Sequence, residues 1–400
     1  DLLQQDAAPD DIEAAWKKAL TATGSMVTSA HRNTFDNGIK ATRQILSDQG
    51  GRDWLAVEQL LQQAAKLEKS GAFSKAFETL DKATVALPGV RETAYNNLKK
   101  LAPQAESAGQ PELAIRYYQM ASILKPNDGH IEERLRLLKA NSQFKPGETR
   151  KLLPDLTIAF VPPGSFTMGS PDSELGRDKD EVPHQVTISH GFFMGATEIT
   201  QAQWDEVMGK DYVPMQGIHP NDQTEAFISG PLPKHTVTWH EAQLFCTRLA
   251  EHTGMIVRLP TEAEWEYACR AGTKSPFYLG SAIQPGQANV YLPGETPIDA
   301  PLSAGKHSKA NAWGLYDMHG NVWEWCQDAA MPYTNKAAVD PIAKPEEISE
   351  KEGLLRILRG GSWYDEASKA RSANRWEYAP AVGSTYIGFR IVVEAADIQP

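Results

Sequence analysis

Cysteine is scarce: the 400 residues contain three, Cys246, Cys269 and Cys326. An odd number cannot complete a disulfide framework, and a 44.0 kDa chain has core enough to fold without one. Cys246 in LFCTRLA and Cys269 in WEYACRAG fall on apolar helix faces, the pattern of buried free thiols, so cysteine usage does not report the compartment. Long apolar runs are missing as well; none approaches the ~18 residues of a membrane helix. Positive charge is short, with 40 Lys and Arg against 51 Asp and Glu, and no basic stripe offsets the net charge of -11. That balance excludes a phosphate-backbone binder and fits either cation binding or a solvated acidic surface. There is no Gly-rich phosphate loop, no Gly-x-Ser-x-Gly elbow and no zinc-spaced Cys/His cluster.

What is present divides in two. Hydrophobic content of 41% and charged content of 23% are those of a globular chain, and its length predicts two or three domains. Residues 1–10, with Pro9 and several acids, read as a linker, and the start at Asp1 without Met predicts that a signal, an anchor or an expression remnant has been removed. Residues 11–145 are rich in Ala, Leu, Gln, Glu and Lys at helical spacing and read as an all-α arm. Gly71, Ala76, Leu80, Ala83 and Pro88 are matched, 38 residues on, by Gly109, Ala114, Tyr118, Ala121 and Pro126. Gly permits the tight turn, small Ala residues let helices approach, and Pro is expected to stop the second helix of each unit. The pattern is similar to the tetratricopeptide repeat, whose period is ~34 residues; the longer period and Pro103 depart from it. Ile12 to Leu46 is expected to add a helical pair and Ile131 to Leu138 a closing helix. The arm either braces the next domain or offers a groove to a protein partner.

From Lys151 the texture changes. LTIAFVPPGSFTMGS and HQVTISHGFFMGATEIT are β-branched and Gly-punctuated, so they read as strands and turns. Helices are predicted over Trp239 to Thr253 and Thr261 to Ala271, the second opened by a capping box of Thr261 with Glu264. Eight of the ten Trp lie between Trp204 and Trp376, in sequence that is largely loop, so buried aromatics and bound ions are expected to replace regular hydrogen bonding.

Seven boxes occur in order across residues 156–393: FVPPGSFTMGS, ATEITQAQW, VTWHEAQLFC, RLPTEAEWEYACRAG, NAWGLYDMHGNVWEWCQD, ILRGGSWYD and GFRIV. Together they resemble the sulfatase-modifying, formylglycine-generating enzyme family. The resemblance implies an α+β, C-type-lectin-like domain over residues 151–397 with little regular secondary structure. Active members oxidise a substrate cysteine with two cysteines, three and eight residues after the Ser of the GGS box, which bind copper(I). Here that box is Gly360, Gly361 and Ser362; the equivalent positions are Asp365 and Ala370, and no cysteine follows Cys326. Soft thiolates suit copper(I) and hard oxygens do not, so copper is not expected. The disulfide partners that some relatives provide for Cys246 and Cys269 are missing too, with Ile391 after GFR. Iron is not expected either, because the His-x-x-x-His-x-Glu motif of the iron-dependent branch does not occur and His235 and His240 do not supply it.

The resemblance further implies a structural calcium site at Asp317, Gly320, Val322 and Glu324, two carboxylates and two carbonyls around a tight turn, and a second at Asn289 and Val290, whose remaining acidic loop is shortened here to LPGETPIDAP. A ligand face is expected at Trp363, Tyr364, Asp365, Arg371, Asn374, Arg375, Trp376 and Tyr378, where aromatics mix with guanidinium groups. On the alternative reading Arg371 and Arg375 are internal ties to buried acids such as Asp317 or Glu324. The expectation is a non-catalytic recognition, sensor or accessory protein of the bacterial envelope, extracytoplasmic and membrane-bound only through a removed anchor, with a protein or small-molecule ligand at the C-terminal domain. The alternative is an enzyme without the cysteine pair, using Asp365, Glu366, His319 or Arg375 as acid, base or anion binder.

Overall fold

The computed structural model describes residues 9–40, 42–213, 230–295, 300–343 and 355–398, and the chain divides into two compact units, Asp1–Leu138 and Lys139–Pro400. Among the described residues no helix is long and apolar enough to cross a membrane.

The first unit consists of α1 (Pro9–Ile39), α2 (Arg43–Gln49), α3 (Gly51–Lys69), α4 (Phe73–Ser107), α5 (Pro111–Leu124) and α6 (Gly129–Asn141), the last running across the boundary. Pro9 and Asp10, expected in a linker, already belong to α1; residues 1–8 lie outside the described residues. The pair expected over Ile12 to Leu46 is one 31-residue helix followed by the short α2. The repeat positions face inward, with Ala76, Leu80, Ala83, Ala114, Tyr118 and Ala121 all buried. Gly71 and Gly109 sit in the two interhelical turns with φ of 76° and 69°, a region open to Gly at little cost.

Pro88 does not stop its helix. It lies inside α4, as does Pro103. An interior Pro costs ~3 kcal/mol. Beyond Pro88, Val90, Tyr95 and Leu98 are buried, each contributing roughly 1.5–3 kcal/mol, so the continued apolar face outweighs the break. Pro126, by contrast, does follow the end of α5.

The second unit holds β1 (Thr149–Leu153), β2 (Leu156–Val161), β3 (Gly164–Met168), β4 (His184–Ile188), β5 (Phe192–Gly195), α7 (Gln201–Met208), α8 (Trp239–Thr253), β6 (Val257–Arg258), α9 (Glu262–Arg270), β7 (Trp323–Ala329), β8 (Ala338–Val339), β9 (Arg356–Arg359), β10 (Arg375–Tyr378), β11 (Ile387–Gly388) and β12 (Val392–Glu394). The strands form sheets of order β1-β2-β5-β12-β6, β10-β9-β7-β11 and β3-β4-β8.

All three helices open with a capping box, Thr200 with Gln203, Thr238 with Glu241 and Thr261 with Glu264, so the sequence marks each start unambiguously. Two apolar clusters fill the unit. One gathers Phe160, Phe193, Trp204, Phe245, Trp325 and Phe389, with Trp204 stacked on Phe245 at 5.7 Å. The other gathers Phe192, Trp265, Tyr267, Cys269, Trp313 and Met318. Strand β7 has both faces buried, so Trp323, Glu324 and Trp325 are all interior.

Candidate functional site

Strand β9 runs into Gly360, Gly361 and Ser362. Gly361 has a φ of 73°, and a Cβ on it would lie 2.9 Å from the Ala370 backbone; only Gly lets this turn close against the following segment. Asp365 points back into the turn. Its Oδ2 accepts from Trp323 Nε1 at 2.8 Å, from the Ser362 amide at 3.1 Å and from the Ser362 hydroxyl. Ala370 is buried, and its carbonyl accepts from His319 Nδ1 at 2.7 Å. The three cysteines are buried and unpaired. Cys269 Sγ lies 3.5 Å from Ser372 Oγ, and burial pushes its thiol up to about 12, which suppresses the thiolate that nucleophilic or copper chemistry requires.

The structure divides the expected ligand face. Arg371, Asn374 and Arg375 turn inward and are buried. Arg371 donates to Glu174 at 2.7 Å, to Glu181 at 2.6 and 2.8 Å and to the Gly176 carbonyl. Burial raises the Glu181 carboxyl, but the hydrogen bonds from Arg371 and Ser170 outweigh it and bring it down to about 2. Arg375 donates twice to Glu262, at 2.8 and 2.9 Å, and lies 4.0 Å over the Tyr333 ring. Asn374 donates to Asp178 at 3.0 Å.

These three are therefore internal ties, and the acids they hold are not the Asp317 or Glu324 named above. A buried guanidinium needs a carboxylate within reach; α9 provides Glu262 for Arg375, and the 174–181 loop provides Glu174 and Glu181 for Arg371. The exposed part of the face is aromatic. Tyr364 is 70% and Trp376 49% exposed, with Trp363 and Tyr378 half-buried. Tyr364 stacks with Tyr386 at 6.3 Å and meets Trp363 edge-on at 5.8 Å. Trp376 lies 6.5 Å from Trp323, whose indole N–H is the one that Asp365 holds.

Beneath this face is an acid–guanidinium framework that the motifs alone did not disclose. Glu324 accepts from Arg390 at 2.6 and 2.7 Å and from Trp265 Nε1 at 2.6 Å. Glu266 pairs with Arg270 and with Arg359, and Glu264 with Arg258. Burial pushes Glu262 up, but Arg375 and Arg359 outweigh it and keep the carboxyl ionised. One signal was visible: Glu262 and Glu266 stand four apart in EAEWEYACR, on one face of a helix.

The calcium residues behave unevenly. Glu324 has both oxygens committed to Arg390 and Trp265, so it is not a free ligand. Asp317 accepts from Ser308 Oγ and the Gly305 amide, and Gly320, with φ of 90°, packs directly on the Asn289 carbonyl. Asn289 donates to Ala300 O at 3.0 Å and to Asn321 Oδ1 at 3.1 Å. Val290 joins a small apolar cluster, and residues 296–299 of the neighbouring loop lie outside the described residues. Among the described residues no three His, Cys, Asp or Glu side chains converge closely enough to hold a metal. Glu198, however, is fully buried with Oε2 lacking any partner, and burial, with Asp317 nearby, holds its carboxyl well above the usual range. Hard oxygens in negative excess around an orphaned one fit a hard cation completed by carbonyls, with Glu198 taking the part expected of Glu324.

Of the groups considered for catalysis, His319 is locked. Nδ1–H donates to the Ala370 carbonyl and Nε2 accepts from the Tyr278 amide at 3.0 Å, the only roles those partners permit. Burial lowers its pKa to about 3, so it is neutral and occupied. Arg375 is committed to Glu262, which leaves Glu366, exposed, and Asp365, partly so.

Short sheets, three capped helices and long loops held by buried ion pairs define a C-terminal α+β domain with little regular secondary structure. Residues 144–395 match the sulfatase-modifying factor enzyme 1-like domain, and the chain belongs to that family. It is 32% identical over 255 residues to serine/threonine-protein kinase Pkn1 of Chlamydia trachomatis serovar L2, covering 58% of this chain and 37% of the kinase, so the chain spans about a third of that relative's length. It is 29% identical over 294 residues to formylglycine-generating enzyme of Mus musculus, covering 60% of this chain and 75% of the enzyme. To inactive C-alpha-formylglycine-generating enzyme 2 of the same organism it is 33% identical over 178 residues, 41% of this chain and 50% of that protein. Among solved structures, PvdO from Pseudomonas aeruginosa aligns with a TM-score of 0.54 and 28% identity, over 63% of this chain and 99% of PvdO.

Proposed function

We propose that the chain is a non-catalytic recognition protein, whose C-terminal domain holds a ligand on the aromatic face around Tyr364 and Trp376 and whose helical unit, read as tetratricopeptide-like, docks a protein partner. The observation that carries this reading is Asp365. Where active relatives are expected to carry a copper-binding thiolate, this chain has a carboxylate whose oxygen is hydrogen-bonded to Trp323 and Ser362, and no cysteine follows Cys326. Oxygen donors are poor ligands for a soft monovalent ion. The similarity to an inactive family member is in keeping with it.

Exposed aromatics anchored from beneath supply rigid contact area at low entropic cost, which is what recognition surfaces use. Arg371 and Arg375 act on this face by positioning, fixing the backbone of its segment to Glu181 and Glu262. A structural calcium belongs to the proposal, held by Asp317, Glu198 and the carbonyls of Gly320 and Val322; it would neutralise buried carboxylates. The setting we propose is the periplasm or surface of a bacterium.

The second reading, an enzyme acting without the cysteine pair, is favoured by the Ser362 hydroxyl donating to Asp365 at the base of the same face. Peptides selected from a random phage-displayed library against the full chain test the first. Tyr364→Ala and Trp376→Ala, both at exposed positions, are expected to lower peptide binding at least tenfold with melting unchanged; binding indifferent to both substitutions contradicts the assignment of the face.

A further inference from the structure

A cavity of about 480 Å³ opens beside the Ala367–Ala370 turn. Its volume is within the ~300–1,000 Å³ of small-molecule sites. Neither Tyr364 nor Trp376 lines it, so it is separate from the aromatic face. Phe277 and Ile283, both buried, provide an apolar floor, while Leu175, which also lines the cavity, is 90% exposed. A leucine lining a cavity and left in water is apolar area that the tail of a ligand would cover.

The charge of the lining runs against that of the chain. The protein carries -11, yet the cavity is lined by two cations, Lys274 and Arg371, and one carboxylate, Glu174. Arg371 and Glu174 are paired at 2.7 Å and satisfy each other. That leaves the Lys274 ammonium without an ion-pair partner among the described residues, in a lining that also includes Ser281. The Arg371 fork, engaged by Glu174 and Glu181, has no face left for bidentate capture of a phosphate, so one ammonium and hydroxyl donors fit a monoanion.

We propose that this cavity binds a small amphiphilic carboxylate, its tail on Phe277, Ile283 and Leu175 and its head at Lys274. The inference does not depend on how the aromatic face is used.

Octanoate titrated calorimetrically into the full chain tests it, with octylamine as the comparison of opposite charge. Octanoate is expected to bind saturably in the millimolar range or tighter and octylamine not to bind. Lys274→Gln is expected to weaken octanoate about fivefold, the upper end for an exposed pair. Ala282→Trp, at an exposed position lining the cavity, is expected to block it while melting stays unchanged. Absence of saturable octanoate binding, equal binding of octylamine, or octanoate binding unaffected by both substitutions overturns the proposal.

Discussion

Glu324 and Arg390 meet in a two-pronged ion pair, at 2.6 and 2.7 Å, with both side chains fully excluded from water. Glu324 belongs to β7 and Arg390 lies just before β12, so the pair ties the four-stranded sheet to the five-stranded one. Arg390 also donates to the carbonyls of Gly195 and Tyr316, so that all three guanidinium nitrogens are engaged locally. Arg390→Met leaves Glu324 buried without its counter-charge, beside the already unpaired oxygen of Glu198. We expect a loss of about 3–5 kcal/mol in urea unfolding, partly recovered by adding Glu324→Gln. A loss under ~1 kcal/mol would mean the pair is peripheral to stability.

Asp328 gives the fold a pH dependence of its own. Burial, with Glu262 nearby, raises its carboxyl to about 7, while it accepts from the amides of Glu262 and Ala343. The native state keeps this proton to about pH 7, whereas the unfolded chain releases it near the ordinary Asp value of ~3.9. Between those values the folded state binds more protons, so this group's contribution to stability falls as pH rises through the window. Asp328→Asn should flatten that slope, at the cost of one of the two amide hydrogen bonds, measured by denaturant midpoints from pH 4 to 8. An unchanged slope contradicts the assignment.

The legible part of this fold was the part written in local signals. Thr261 with Glu264 announced α9, and Trp239 to Thr253 coincides with α8, because caps and 3.6-residue spacing are properties of short segments. The inward positions of the 38-residue repeat were legible for the same reason. Pro88 misled because burial of Val90, Tyr95 and Leu98 against other helices outweighs a local break. The site residues were legible as a set but not by role. Sequence placed Arg371 and Arg375 beside Tyr364 and Trp376 without showing which side chains point in. The partners Glu174, Glu181 and Glu262 lie about 110 to 200 residues away along the chain, and only the fold brings them together.

Calcium should register as stability. If an ion sits between Glu198, Asp317 and nearby carbonyls, free calcium at 100 times its dissociation constant adds ~2.7 kcal/mol, and the protein should melt several degrees lower in chelator. Glu198→Gln is expected to abolish most of that difference, since it removes the buried oxygen that has no protein partner. Identical melting with calcium and with chelator would show that the Gly320 turn is held by its hydrogen bonds alone.

The carboxylate at Asp365, in place of a thiolate, is decided by chemistry. Purified chain supplied with copper(I), dioxygen and a cysteine peptide of sulfatase type can be followed by mass spectrometry for conversion of thiol to aldehyde. No aldehyde above the protein-free control is expected at any copper concentration, because the oxygen of Asp365 is bound to Trp323 and Ser362 and no cysteine follows Cys326. Copper-dependent aldehyde formation would contradict the recognition role outright.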